Sequence, residues 1–282
     1  MLSSSSTPAQ PAPLLQIQDA TVVKGRGKRI LDRLNIEIGE GEHTAIFGPN
    51  GSGKSSLIKL IAYLHYPLAP KDGPPPVRIF GRDRWNVFEL RQHLGIVSPE
   101  LHSLFADHRH GRLKGVEAVV TGFFASYGLF QHQAVTPQMW DRAREELALL
   151  DAAHLADKPV EEMSTAEARR ILIARALVPN PRALLLDEPT TGLDLLAGFR
   201  FMETLRKIAR QGRTVLLVTH HVEELIPEVE RVILLQAGRV FRDGSKREVL
   251  TTANLSALYE SPIHVTEGAG GYYRADLGER GQ

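Results

Sequence analysis

The chain has 282 residues, 43% of them hydrophobic and 24% charged, which is enough for one large core or two modest ones. Lys plus Arg number 34 against 33 for Asp plus Glu, with no long block of one sign, so the charge gives no reason to expect nucleic acid or an anionic membrane as a partner. The absence of cysteine excludes disulfides, thiolate metal sites and Cys nucleophiles, and it accords with a cytoplasmic location.

The opening "MLSSSSTPAQPAP" lacks a basic head followed by an apolar run, so residues 1–13 are expected to be a flexible tail and not a secretory signal. From Leu14 to about Ile38, "LLQIQDATVV" and "ILDRLNIEI" alternate apolar and polar residues, which predicts an antiparallel β layer. "HTAIFG" then reads as a short buried strand running into a glycine turn, and "KSSLIKLIAYL" as a helix with Leu57, Ile58, Ile61 and Leu64 on one face. "LAPKDGPPP" is too rich in Pro and Gly to be regular. Between about residues 100 and 165 the pattern turns helical, bounded by loops around Arg109 and Thr136, and predicts an inserted helical subdomain. Its run "GVEAVVTGFFASYGLF" contains Glu117 and falls short of the roughly 20 residues a membrane span needs, so a buried helix is expected there.

"RALLLDEP" and "RTVLLVTHH" are apolar strands of the kind buried on both faces of a parallel sheet, and the helix "GFRFMETLRKIARQG" between them makes a βαβ crossover. "RVILLQAGRVFRDG" predicts a hairpin turning at Ala237 and Gly238, and "SKREVLTTANLSALY" a closing helix. The pattern determines little after that, and residues 266–282 are assigned to a C-terminal tail. The expected class is α/β, with a mostly parallel core sheet.

The spacing from Gly48 through Gly53, Lys54 and Ser55 fits a phosphate-binding loop, set between the strand and helix that such a loop requires. Gly48, Pro49, Asn50, Gly51, Ser52, Gly53, Lys54, Ser55 and Ser56 are the candidate nucleotide-binding residues. Backbone N–H groups and the helix N-terminus would cradle phosphate, Lys54 would reach the β- and γ-phosphates, and the Ser55 hydroxyl would ligate Mg²⁺. At the end of "LLLDEP", Asp187 is the candidate second metal ligand and Glu188 the general base. His220 holds the equivalent edge of the next strand, where it could contact γ-phosphate or the attacking water, with His221 as its rival.

"GPNGSGKSS", "LLLDEPTTGLD" and "VTHH", in this order with a helical insertion between the first two, resemble the ATP-binding cassette (ABC) ATPases from about Leu14 to Leu258. The resemblance implies a P-loop NTPase cassette over residues 14–265 that uses ATP with Mg²⁺. Two cassettes, copies of this chain or this chain with a paralogue, would close head to tail around the nucleotide. It implies three uses: energy coupling for a separate membrane permease on the inner face of the membrane, a soluble ATPase with a regulatory or nucleic-acid-linked role and no permease, or an ATP-holding module with little turnover. The signature Leu-Ser-Gly-Gly-Gln falls on "MSTAE", so Ser164 would face the opposite γ-phosphate while Thr165, Ala166 and Glu167 replace the glycines and glutamine. "STAE" is equally a helix capping box. Asp194 matches an aspartate through which cassettes communicate, and is equally a helix cap. Pro99 takes the place of the family glutamine, leaving its metal contact to Glu100 or water. "ATVVKGRGKRIL" offers no aromatic for adenine. "LGIVSPEL", "VVTGFFASYGLF" and "STAEARR" look most like the molybdate-associated soluble ATPases.

Overall fold

The computed structural model describes residues 13–70, 72–99, 113–126, 128–130 and 132–278. Most of the expected N-terminal tail, the loop around Arg109 and Glu100 lie outside them. Strands β1 (Leu15–Lys24) and β2 (Lys28–Ile38) pair antiparallel with Ile17 opposite Ile36, as their alternation requires. A third strand, β4 (Val77–Ile79), joins the free side of β1. Its three residues are too few to show a period.

The main sheet contains β3 (Thr44–Phe47), β5 (Leu94–Val97), β6 (Ala183–Asp187), β7 (Thr214–Thr219), β8 (Arg231–Gln236) and β9 (Arg239–Ser245). Its order is β5-β6-β7-β3-β8-β9, parallel except for β9, which returns from β8 through the expected hairpin. Ala237 and Gly238 both take positive φ at that turn. Alternation within the sheet sorts the core into two halves. Ile46, Leu185, Leu216 and Val218 point to the half shared with the β1-β2-β4 layer and α1 (Lys54–Ile61). Phe47, Leu184, Leu186 and Leu217 point to the other half.

That second half receives α3 (Gly115–Val120), α4 (Pro137–Leu149), α5 (Thr165–Leu177) and the crossover helix α6 (Leu195–Arg210), while α2 (Val87–His93) sends Leu90 to the first. The apolar run from Gly115 folds as α3 and a 3₁₀ turn (Thr121–Phe124), with Val116, Ala118, Val119 and Val120 in the core. Among the described residues no helix is long and apolar enough to cross a membrane.

Two C-terminal expectations need correction. The closing helix is two helices, α7 (Lys246–Val249) and α8 (Thr252–Tyr259), because Ser245 and Thr251 each cap a new start by accepting from the backbone N–H three residues on. Beyond Pro262 the chain is no simple tail. Strands β10 (Ile263–Glu267) and β11 (Tyr273–Leu277) form an antiparallel hairpin whose Tyr273 is buried in the core.

Candidate functional site

The phosphate-binding loop leaves β3 between β7 and β8 and enters α1 at Gly53. Its two outer glycines serve different ends. At Gly48 a Cβ would come 2.4 Å from the Leu235 carbonyl oxygen, so this glycine lets the loop lie against β8. Gly53 has φ +110°, where only glycine is unstrained, and it starts α1 with no side-chain cap on the first N–H groups. Lys54 is buried, and its Nζ donates to the Gly48 carbonyl at 2.7 Å and the Pro49 carbonyl at 3.1 Å. Burial pulls its pKa below the usual lysine value, while the charges of Glu188 and Asp187 pull it back. Ser52 Oγ is buried without a hydrogen-bond partner among the described residues.

The carboxyl edge brings the other candidates to the same place. Asp187 ends β6 and lines, with Ser55, Ser98 and Pro99, a cavity of about 310 Å³. Two oxygen donors facing one cavity suit Mg²⁺, a hard cation usually held by one or two protein oxygens plus substrate phosphates. Glu188 follows with φ +44°, a costly conformation for a non-glycine residue, fixed by its N–H donating to the Val218 carbonyl at 2.8 Å. Its Oε1 lies 2.8 Å from His220 Nδ1. The two histidines therefore separate: His220 meets Glu188, whereas His221 is exposed, its ring centroid 3.9 Å from that of His220.

The sequence model of the ABC transporter family matches residues 31–191, more than half the chain. This chain belongs to the ABC transporter ATP-binding family. The cassette is 33% identical to the "Uncharacterized ABC transporter ATP-binding protein YlmA" of Bacillus subtilis over 89% of this chain and 93% of the relative. It is 30% identical to the "Hemin import ATP-binding protein HmuV" of Photobacterium damsela subsp. piscicida, covering 85% of this chain and 86% of the relative. With the "Fe(3+) ions import ATP-binding protein FbpC" of Streptomyces avermitilis it shares 34% identity over 84% of this chain but 64% of the relative. Among solved structures, the post-hydrolysis dimer of the ATP-binding cassette MJ0796 with ADP and Pi aligns at TM-score 0.67 with 28% identity, covering 82% of this chain and 98% of that one. The cassette is an ATPase with the α/β P-loop fold.

Two candidates of the cassette stand apart from the phosphate loop, each at a helix start. Ser164 is exposed and caps α5: its Oγ accepts from the Glu167 N–H at 3.3 Å, and Glu167 Oε2 accepts from the Ser164 N–H at 2.7 Å. Glu167 also pairs with Lys158 at 2.9 Å, an interaction the family glutamine could not make as an ion pair. Asp194 caps α6 by accepting from the Ala197 N–H at 2.8 Å. Strand β2 abuts the phosphate loop at Gly53 through Ile30 and Leu31, and the adjoining β1-β2 turn and its flanks present exposed Lys24, Arg26 and Lys28. Arg169 and Glu224, absent from the sequence-based candidates, are both buried, with Arg169 feeling the charges of Glu224 and Asp187. A signal existed for Arg169, which shares the buried face of α5 with Leu172, Ile173 and Ala176 at spacings of three, four and seven.

Proposed function

We propose that the cassette binds Mg²⁺–ATP on Gly48–Ser56, closes with a second cassette head to tail around it, and hydrolyses it to power a separate membrane permease. The observation that carries this reading is the convergence, on one sheet edge, of the Lys54 ammonium with the hydrogen-bonded Glu188–His220 pair. On nucleotide binding Lys54 exchanges two carbonyl acceptors for β- and γ-phosphate oxygens, stronger partners for a desolvated cation. Ser55 and Asp187 would hold Mg²⁺, which when bound neutralises charge on the phosphate oxygens. Glu188, oriented by His220, takes a proton from water as the water oxygen bonds to the γ-phosphorus and the β–γ bridging bond breaks, releasing ADP and phosphate.

The energy-coupling use follows the import systems named for HmuV and FbpC, and it puts the cassette at the inner face of the membrane. The finer likeness to molybdate-associated ATPases rests on three short stretches, whereas these relatives set iron and hemin import beside it. Glu188→Gln tests both halves of the proposal. Turnover should fall at least about 100-fold with ATP binding retained, as expected on removing a general base. The same variant, purified from gently solubilised cells with ATP, should carry a stoichiometric membrane protein. A self-dimer alone would replace the transport reading with the soluble regulatory one.

A further inference from the structure

Arg169 and Glu224 are each 3% exposed, and neither is used by the chemistry above. Among the described residues the Arg169 side chain, on α5, makes one hydrogen bond, from Nη2 to the Thr191 carbonyl at 3.3 Å, and its Nε and Nη1 have no partner. Glu224, in the 3₁₀ turn after His220 and His221, accepts at Oε1 from the Thr190 hydroxyl, and its Oε2 has no partner among the described residues. The two charges feel each other: burial pulls the Arg169 pKa down, Glu224 opposes most strongly and Asp187 next, yet they make no direct ion pair. Buried charges with unsatisfied atoms are costly, and apolar residues of similar size would serve stability as well or better. Their side-chain hydrogen bonds go to consecutive residues, Thr191 and Thr190.

That dipeptide adjoins the proposed base. Thr191 N–H donates to the Glu188 carbonyl at 3.2 Å, and Leu193 N–H to the Thr190 carbonyl at 3.0 Å, so Glu188 to Leu193 forms one hydrogen-bonded turn. Glu188 stands at φ +44° at its head and Asp194 follows it. A strained residue keeps its conformation only when its surroundings overdetermine it.

We propose that Arg169 and Glu224 are positioning residues for ATP hydrolysis: they grip the Thr191 carbonyl and the Thr190 hydroxyl, and so hold the Glu188 carboxylate where it can take the proton from water. The same grip ties the helix that starts at Ser164 to the strand end that carries Glu188. This inference rests on Glu188 acting as the base.

The test compares Thr190→Val, Thr190→Ser, Arg169→Gln and Glu188→Gln by steady-state ATPase kinetics, ATP binding and melting temperature. Thr190→Val keeps the volume and removes only the hydroxyl. Its kcat should fall between about ten- and a hundred-fold, the scale of a catalytic group misplaced by a fraction of an ångström to one ångström, with KM and ATP affinity unchanged. Thr190→Ser should restore turnover, and Arg169→Gln should match the Thr190→Val loss wherever it folds. Wild-type kcat in Thr190→Val overturns the clamp, as does a parallel loss of affinity and melting temperature without rescue by Thr190→Ser. If Glu188→Gln itself turns over normally, the base assignment fails, and that result is distinct from a failure of the clamp alone.

Discussion

Glu167 shows how a departure from a family pattern acquires a local reason. Its carboxylate accepts from the Ser164 N–H and pairs with Lys158, so it closes the N-terminus of α5 and adds a charge contact there. The hydrogen bond from Lys158, then that from the Ser164 backbone, holds its pKa below 4.5. A carboxylate whose folded pKa is depressed stabilises the fold above its unfolded value and loses that contribution as pH falls through the folded one. Glu167→Gln retains an acceptor for Ser164 but not the charge. Wild type should therefore melt higher than the variant at neutral pH, by the equivalent of about 1 kcal/mol or less for a partly exposed pair. The gap should close as pH drops well below 4.5. Thermal melts of both proteins across that range check it, and a gap independent of pH would remove the ion pair from the account.

At the scale of elements, what was legible in the sequence is what repeats or what a turn dictates. Strands β3, β6 and β7 are continuous apolar runs because both their faces are covered, and glycine spacing marks the loop between β3 and α1. The loop residues, Asp187 and the Glu188–His220 pair are local consequences of strand ends, so pattern reading places them on one edge. Helical spacing marks Arg169 as buried, but its bond to Thr191 and that of Glu224 to Thr190 join segments 22 and 34 residues apart, which periodicity does not encode. The hairpin β10–β11 was illegible for a related reason. It is largely exposed and docks through few side chains, chiefly Tyr273, with Ile263, Val265 and Ala275 packed at the edge of the core. Such docking makes Tyr273 the anchor of the element. Tyr273→Ala should cost about 3 kcal/mol, the usual scale for truncating a buried aromatic. The melting temperature should fall by roughly 6–12 °C for a chain of this size. An unchanged melting temperature would mean that the hairpin contributes nothing to the core it touches.

For the whole molecule, the decisive question is whether Ser164 works beyond its own helix. It is exposed at the start of α5, and among the described residues its hydroxyl hydrogen-bonds only within that start, accepting from the Glu167 N–H. As a cap alone it would be replaceable by aspartate, which caps as well as serine. In a head-to-tail dimer, Ser164 of the partner subunit would meet the γ-phosphate, and an aspartate there would set like charges against each other in a closed interface. The two roles thus give opposite outcomes for one substitution. In the Glu188→Gln background, which should hold ATP without consuming it, size-exclusion chromatography should show a dimer with Mg²⁺–ATP and a monomer without. Adding Ser164→Asp should leave the melting temperature and ATP binding by the monomer unchanged, because the cap and the phosphate loop are intact, while abolishing the ATP-dependent dimer. A double variant that dimerises as well as its parent would reduce Ser164 to a helix cap and would require the second cassette to complete the site with other residues.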